Sequence, residues 1–325
     1  MISRRRALGL LASAVPSVAA VRFASAAEYP ARPVRFVVGY PPGGATDILA
    51  RLIGQRLSET LGQQFVVENK PGAGNNIGTE SVVNAAADGY TVLLVNPANY
   101  INASLYTNLK FNFVRDIAPV ASFNRVPNVM TVNNDIKAKT VAEFIAYLKE
   151  NPGKVNMASS GNGTSVHLSG EMFMAMTGTK MQHVPYRGAA PAITDMLAGQ
   201  VDLQFGAINS LLPHIRTGKL RALAVGGTRR ASLLADVPTM AEAGLPQYDS
   251  EIWLGLAAPG GTPAAVIKRI NADVTKILNE PEVKEKLAEQ GIETRPSTPQ
   301  EMTKLVEKDT ARWASVIKSA GIKAD

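Results

Sequence analysis

Cysteine is absent from all 325 residues. That excludes disulfides, thiolate metal sites, a cysteine nucleophile and lipid attachment through an N-terminal cysteine. Histidine is almost as scarce. His167, His183 and His214 are the whole complement, and no two stand three or four residues apart, the spacing by which one helix face holds a metal. The chain also lacks G-x-S-x-G, H-E-x-x-H, G-x-x-x-x-G-K-[ST] and an acidic calcium loop, so the common hydrolase, metalloprotease and nucleotide-hydrolase readings have no anchor. A true basic excess is missing too. Lysine and arginine number 34 against 27 acids, but residues 1–26 carry four arginines and no acid, leaving 30 against 27 in the remainder. Nothing in that balance calls for a nucleic acid or a membrane surface as partner.

Residues 1–26 are a separate object. Ser3-Arg4-Arg5-Arg6 forms a basic opening, residues 7–21 an apolar stretch broken by Pro16, and Ala24-Ser25-Ala26 a small-residue cleavage signal. The apolar stretch is too short for a membrane span, so a cleaved signal peptide and periplasmic export are expected. Ser-Arg-Arg-x-x-Leu is also similar to a twin-arginine export signal, although Ala7 stands where a bulky apolar residue is usual.

With 46% hydrophobic and 19% charged residues, the rest can bury ordinary cores, and its length suggests two domains of about 150 residues. Short apolar runs at 34–38, 65–67, 91–95, 129–132, 155–158, 201–205 and 220–225 alternate with helix-length segments. That alternation argues an α/β fold with parallel sheet. Towards the C-terminus, Thr262 and Pro263 read as N-cap and first residue of a helix with Val266, Ile267, Ile270, Val274, Ile277 and Leu278 on one face. A second helix is expected from residue 297 to about 317, its stripe running through Met302, Leu305, Val306, Trp313 and Val316, with Trp313 in the core.

The most telling stretch is Tyr40-Pro41-Pro42-Gly43-Gly44-Ala45-Thr46-Asp47, between an apolar strand and an amphipathic helix. Two glycines there let backbone approach a bound group closely, and the helix start aims N–H groups and its positive dipole end at an anion. The two prolines stiffen the entry. Asn69-Lys70-Pro71-Gly72-Ala73-Gly74-Asn75-Asn76-Ile77-Gly78 repeats the arrangement before a helix to about residue 87, and Ser159-Ser160-Gly161-Asn162-Gly163-Thr164-Ser165-Val166-His167 repeats it again. The second of these superficially suggests a dinucleotide fingerprint. Its spacing is G-x-G-x-x-x-G, Lys70-Pro71 intervene, and it does not follow the first strand.

Together with Val184-Pro185-Tyr186-Arg187-Gly188, Gly218-Lys219-Leu220-Arg221-Ala222-Leu223-Ala224-Val225 and Asp236-Val237-Pro238-Thr239, these loops give six motifs in order. The chain resembles the periplasmic solute receptors of tripartite tricarboxylate transporters, the Bug family. The resemblance implies a two-lobed α/β periplasmic binding protein, type II-like, with the ligand in a cleft between lobes. It implies two chain crossings, with lobe 1 formed by residues 27–125 and 228–325 and lobe 2 by 126–227. It also implies a small organic carboxylate as ligand, membrane permease subunits as partners, and no cofactor, metal or reaction; a monomer is expected.

In the first lobe the ligand-binding residues expected are Tyr40, Gly43, Gly44, Ala45, Asp47, Gly74, Asn75 and Asn96. An acid in a first helical turn is favoured by the dipole alone, so Asp47 has a purely structural reading. In similar receptors backbone groups and bridging waters hold the proximal carboxylate, and the equivalent acid orients that water, which can donate to both carboxylates. In the second lobe Ser160, Gly161, Thr164, His183, Tyr186, Arg187 and Gly206 are expected, with Ser160 or Thr164 also able to cap the following helix. Many relatives carry an acid where Phe205-Gly206-Ala207 stands, and Asn96-Pro97-Ala98-Asn99-Tyr100 lacks their hydroxyl-rich sequence. Both departures favour an acid without an amine. An exported lyase or hydrolase acting on a carboxylate, and a ligand-sensing partner of a kinase, stand as alternatives.

Overall fold

The computed structural model describes residues 29–43, 45–289 and 292–323. The proposed signal segment 1–26 lies outside the described residues. The strands are β1 (Val34–Val38), β2 (Phe65–Asn69), β3 (Thr91–Val95), β4 (Ile117–Ser122), β5 (Asn124–Val132), β6 (Asn156–Ser159), β7 (Gln182–Pro185), β8 (Leu203–Ala207), β9 (Arg221–Val225), β10 (Glu251–Ile252), β11 (Gly255–Pro259) and β12 (Glu293–Thr294). The α-helices are α1 (Ala45–Leu61), α2 (Asn76–Val83), α3 (Pro97–Leu105), α4 (Phe113–Asp116), α5 (Val141–Glu150), α6 (Ser165–Thr177), α7 (Ala189–Leu197), α8 (Ile208–Arg216), α9 (Ala264–Asn279), α10 (Pro281–Ala288) and α11 (Pro299–Ala320).

The strands form two sheets, as a two-lobed α/β protein requires. The first runs β2-β1-β3-β11-β4, and the second β10-β5-β8-β6-β7 with β9 and β12 also paired to β5. Neither is wholly parallel, which corrects the expectation from alternation. β1 is parallel to β2 and β3, and β6 to β7 and β8, but β11 is antiparallel to both its neighbours and β5 to its own. Each βαβ stretch obeys the parallel rule; the exceptions are strands by which the chain enters or leaves a sheet. β11, with sequence Gly-Leu-Ala-Ala-Pro, is buried at every position yet has no β-branched residue to signal a strand. β7 is an edge strand with Gln182 and Pro185 exposed, so it shows little apolar pattern.

Helices α1 and α9 pack together on the first sheet, while α11 lies against β4, α3 and α6, touching helices of both sheets. The α9 stripe is buried throughout: Val266, Ile267, Ile270, Val274, Ile277 and Leu278. Burying such side chains stabilises by about 1.5–3 kcal/mol each. Its start lies one residue later than read from sequence, with Pro263 at the N-cap and Thr262 donating its hydroxyl to the Pro259 carbonyl. α11 begins with Thr298 as N-cap and a reciprocal bond from Glu301, and Trp313 is fully buried. α2 stops at Val83, short of the expected residue 87.

Candidate functional site: loops at the carboxyl ends of two parallel strand sets

Because β1, β2 and β3 are parallel, the loops after them leave the same edge of the sheet, where ligands of open α/β sheets bind. Those loops lead into α1, α2 and α3, so three helix N-termini gather there. The first two loops touch through backbone. A Cβ on Gly39 would lie 1.3 Å from Asn75 Oδ1, and one on Gly78 only 2.9 Å from the Gly39 Cα. Asn75 is left-handed (φ 83°), a conformation that asparagine tolerates and that turns its buried side chain back towards Gly39. Asn102 of α3 holds the same loop, donating to the Gly74 carbonyl (2.7 Å) and to Asn76 Oδ1 (3.0 Å).

Asp47, only 2% exposed, ties the first loop to its surroundings. Its Oδ2 accepts from the Gly43 N–H and from Arg51 Nε, both at 2.9 Å, and its Oδ1 accepts from Asn69 Nδ2 at 2.9 Å. The Arg51 bond is the main reason its carboxyl falls to about 2; burial opposes the shift, and Gly43 and Asn69 assist it. Asn69 also donates to the Tyr40 carbonyl. The Tyr40 hydroxyl, pushed up to about 12 by burial, donates to Asn96 Oδ1 at 3.2 Å. Asn96 caps α3 with the same oxygen. Three buried amide atoms on this edge meet no protein partner: Asn75 Oδ1, Asn75 Nδ2 and Asn96 Nδ2. Such atoms are costly unless a bound group or water answers them.

The second sheet presents the loops after β6, β7 and β8, again parallel to one another. After β6, Thr164 caps α6 by accepting from the His167 N–H, and its hydroxyl donates to the Gly161 carbonyl (2.8 Å). Ser160 reaches Thr164 at 3.4 Å. Ser159 lies 2.7 Å from His183 Nε2 and accepts from the Gly161 N–H. The His183 ring stacks on His167, centroids 3.6 Å apart and planes 6° apart. His167 Nδ1 accepts from the Gly163 N–H at 3.1 Å, which puts its ring proton on Nε2, 3.3 Å from Glu171. Tyr186 donates to Asp195 at 2.7 Å, and its hydroxyl is pushed up to about 12, by burial first and then by that acid. Arg187 is exposed. The β6 loop also meets the other lobe's helices: a Cβ on Gly163 would lie 2.3 Å from Leu105 at the end of α3.

The expected residues therefore fall into two groups. Tyr40, Gly43, Asp47, Gly74, Asn75 and Asn96 come together at the first edge, and Ser160, Gly161, Thr164, His183, Tyr186 and Arg187 at the second. Gly44 lies outside the described residues, and only the backbone of Ala45, which opens α1, is described. Gly206 is buried inside β8, where a Cβ would meet Leu211 at 2.7 Å, so its glycine is explained by packing. Sequence reasoning did not single out Arg51, Asn69, Asn102 or the stacking of His167 on His183. Arg51 stands four residues after Asp47 on one helix face, a spacing that signals an ion pair. The histidines lie sixteen apart on different elements, and no local pattern links them.

The model of the tripartite tricarboxylate transporter family receptor, TctC, matches residues 49–322. The chain belongs to this receptor family. Protein BugT of Bordetella pertussis is 36% identical over 301 residues, covering 92% of each chain. The R. palustris protein Rpa4515, solved with adipate, is 38% identical, with a TM-score of 0.79 over 91% of this chain and 99% of that one. MatC from Rhodopseudomonas palustris, solved with bound malate, is 31% identical, with a TM-score of 0.76 over 89% and 100%. This TctC receptor, among its described residues, has no helix long and apolar enough to cross a membrane.

Proposed function

We propose that the chain is an exported receptor that captures a small, amine-free organic carboxylate between its two sheets and hands it to membrane permease subunits. One observation carries the reading. Unpartnered Asn75 and Asn96 amide atoms are buried where three helix N-termini converge, opposite a hydroxyl-bearing loop of the second sheet. Amide and backbone N–H donors suit a carboxylate, and Asp47, neutralised by Arg51, does not repel it. The dicarboxylates in the Rpa4515 and MatC structures support the same class.

Magnitudes agree. A micromolar complex needs about −8.2 kcal/mol. Hydrogen bonds to a charged group contribute roughly 1.5–3 kcal/mol each, so four or five suffice after ordering costs. In this reading the lobes divide near residues 125/126 and 227/228, the chain acts as a monomer, and no reaction takes place. Asp47 reaches the ligand through the Gly43 loop or a bridging water, and Arg187 meets a distal carboxylate from the exposed side. Export by a cleaved signal peptide would leave a first residue near Glu28, which N-terminal sequencing of exported material reads directly.

The deciding experiment is a thermal-shift screen of mono-, di- and tricarboxylates against amino acids and sugars. A ligand at about 100 times its dissociation constant adds roughly 2.7 kcal/mol of stability. Stabilisation by amine-free carboxylates is expected; a screen in which only amino acids or sugars stabilise sinks the proposal.

A further inference from the structure

A cavity of about 360 Å³ lies away from the loops described above, where the chain passes between its sheets. It is bounded by Arg125 near the start of β5, by Trp253 between β10 and β11, and by residues of the segment leading into and along α11. Its walls carry four basic and four acidic side chains, so net charge alone predicts no ligand. The hydrogen bonding does.

Three of the four carboxylates accept a hydrogen bond from protein, and the fourth, Glu251, is paired with a cation. Asp249 Oδ2 pairs with Arg312 at 2.9 Å and Lys308 at 3.3 Å, and its Oδ1 accepts from the Glu251 N–H. Asp309 accepts from Trp253 Nε1 at 2.7 Å. Glu301 is held by the N–H and hydroxyl of Thr298, and Glu251 faces Arg125 at 3.7 Å. The cations are not used up in the same way. Arg312 Nε is buried with no acceptor, and its Nη2, 3.1 Å from Asp309 Oδ1, makes no hydrogen bond of acceptable geometry. Arg295 lines the cavity and forms no ion pair among the described residues. A guanidinium has five N–H donors and no acceptor, so both arginines keep donor capacity towards the cavity.

We propose that the cavity is a second binding site, for a small tetrahedral oxyanion such as sulfate or inorganic phosphate, held by Arg312 and Arg295 with Lys308 at its rim. Guanidinium forks match such oxygens with parallel bonds. The volume lies within the range of small-ligand pockets. Burial raises the carboxyl groups of Asp309 and Glu251, on one wall of the cavity, above their usual range. An anion seated here braces the strands that join the two sheets, so its occupancy bears on how the sheets move relative to each other. The site does not depend on what the interlobe loops bind.

Sulfate titration by calorimetry, against sodium chloride of matched ionic strength, tests this. One sulfate site is expected in the wild-type chain, weakened about tenfold or more in Arg295→Gln, the share of one charge-assisted bond. Arg295 is exposed, so this variant should fold; Lys308→Gln, at a rim residue with a 65% exposed side chain, should weaken binding less. Hydrogen exchange locates the anion: sulfate should slow exchange across 249–254 and 295–312. Phosphate binding more tightly than sulfate would identify phosphate as the occupant, and the reverse order sulfate. Absence of a sulfate site above the chloride control, an unchanged affinity in Arg295→Gln, or protection confined to 39–47 and 159–167 would each overturn the proposal.

Discussion

At the edge of the first sheet, loops hold one another through glycine contacts, amide side chains and one neutralised carboxylate; at the edge of the second, through hydroxyls and a pair of stacked imidazoles. The first arrangement is tight against its own backbone. An added carbon on Gly39 would strike Asn75 and one on Gly78 would strike Gly39, and Asp47 spends both oxygens on the frame. The second is tight at Gly163, against Leu105, but looser beside it: Gly161 has no atom closer than 3.5 Å to an added Cβ, and Ser160 reaches its neighbour only at 3.4 Å. The difference assigns a division of labour. Under the proposed function, a rigid donor set would recognise what the ligands share, a carboxylate, and the side chains of the second edge would distinguish the remainder of the ligand.

The harshest way to break that contrast is Gly39→Ala. Its methyl must evict Asn75, which should cost about 3 kcal/mol of stability through overpacking, together with affinity for the carboxylate that the thermal-shift screen identifies. The counterpart Gly161→Ala (φ 136°) meets strain without a clash and should cost about 1 kcal/mol. Denaturant titration, and calorimetry with that carboxylate, compare them, and equal losses would end the distinction. Next in size, replacing one carboxylate of the ligand by a carboxamide should cost roughly 2–3 kcal/mol, about two orders of magnitude in affinity, because the first edge recognises charge. An amide that binds as well as the acid would move recognition to the second edge.

Asp47 gives a smaller effect with a definite sign. Its folded carboxyl lies at about 2, below the ordinary 3.8, so its contribution is complete above about pH 4 and lost as pH falls through 2. Because Arg51 is half exposed, screening reduces the contribution to about 1–2 kcal/mol. Asp47→Asn should therefore lower stability at pH 7 and lessen its fall between pH 4 and 2, as read by thermal melts across that window. Smallest of all, Ser159→Ala removes the 2.7 Å bond to His183. It should cost about 1 kcal/mol and alter preference among carboxylates more than affinity for the class. A uniform loss across ligands would show that the second edge does not discriminate.

Much of this was readable in advance, and the limits have physical causes. β1 and β3 match their apolar runs residue for residue: β3 is buried at every position, and β1 is interrupted only by the exposed Arg35. The loops were readable because glycine, proline and asparagine announce special backbone. β11 was not, since small residues fill a strand crowded on both faces without a β-branched signature. From sequence Tyr186 could meet a distal polar group or hold its own loop; its bond to Asp195 shows that it does at least the second, and nothing local announces a partner nine residues away. The His167–His183 stack depends on the pairing of β6 with β7 and on the start of α6, so it exists only once the tertiary structure does.

The place of β11 between β3 and β4 also sets a timetable. Synthesis reaches β4 by Ser122, but the strand that must lie beside it begins at Gly255. Until then the nascent chain holds two separated fragments of its first sheet, with the whole of the second sheet's parallel core already made. Closing a loop of that length is slow compared with pairing near neighbours. A chain emerging from the ribosome is thus kept from completing its first lobe for more than a hundred residues.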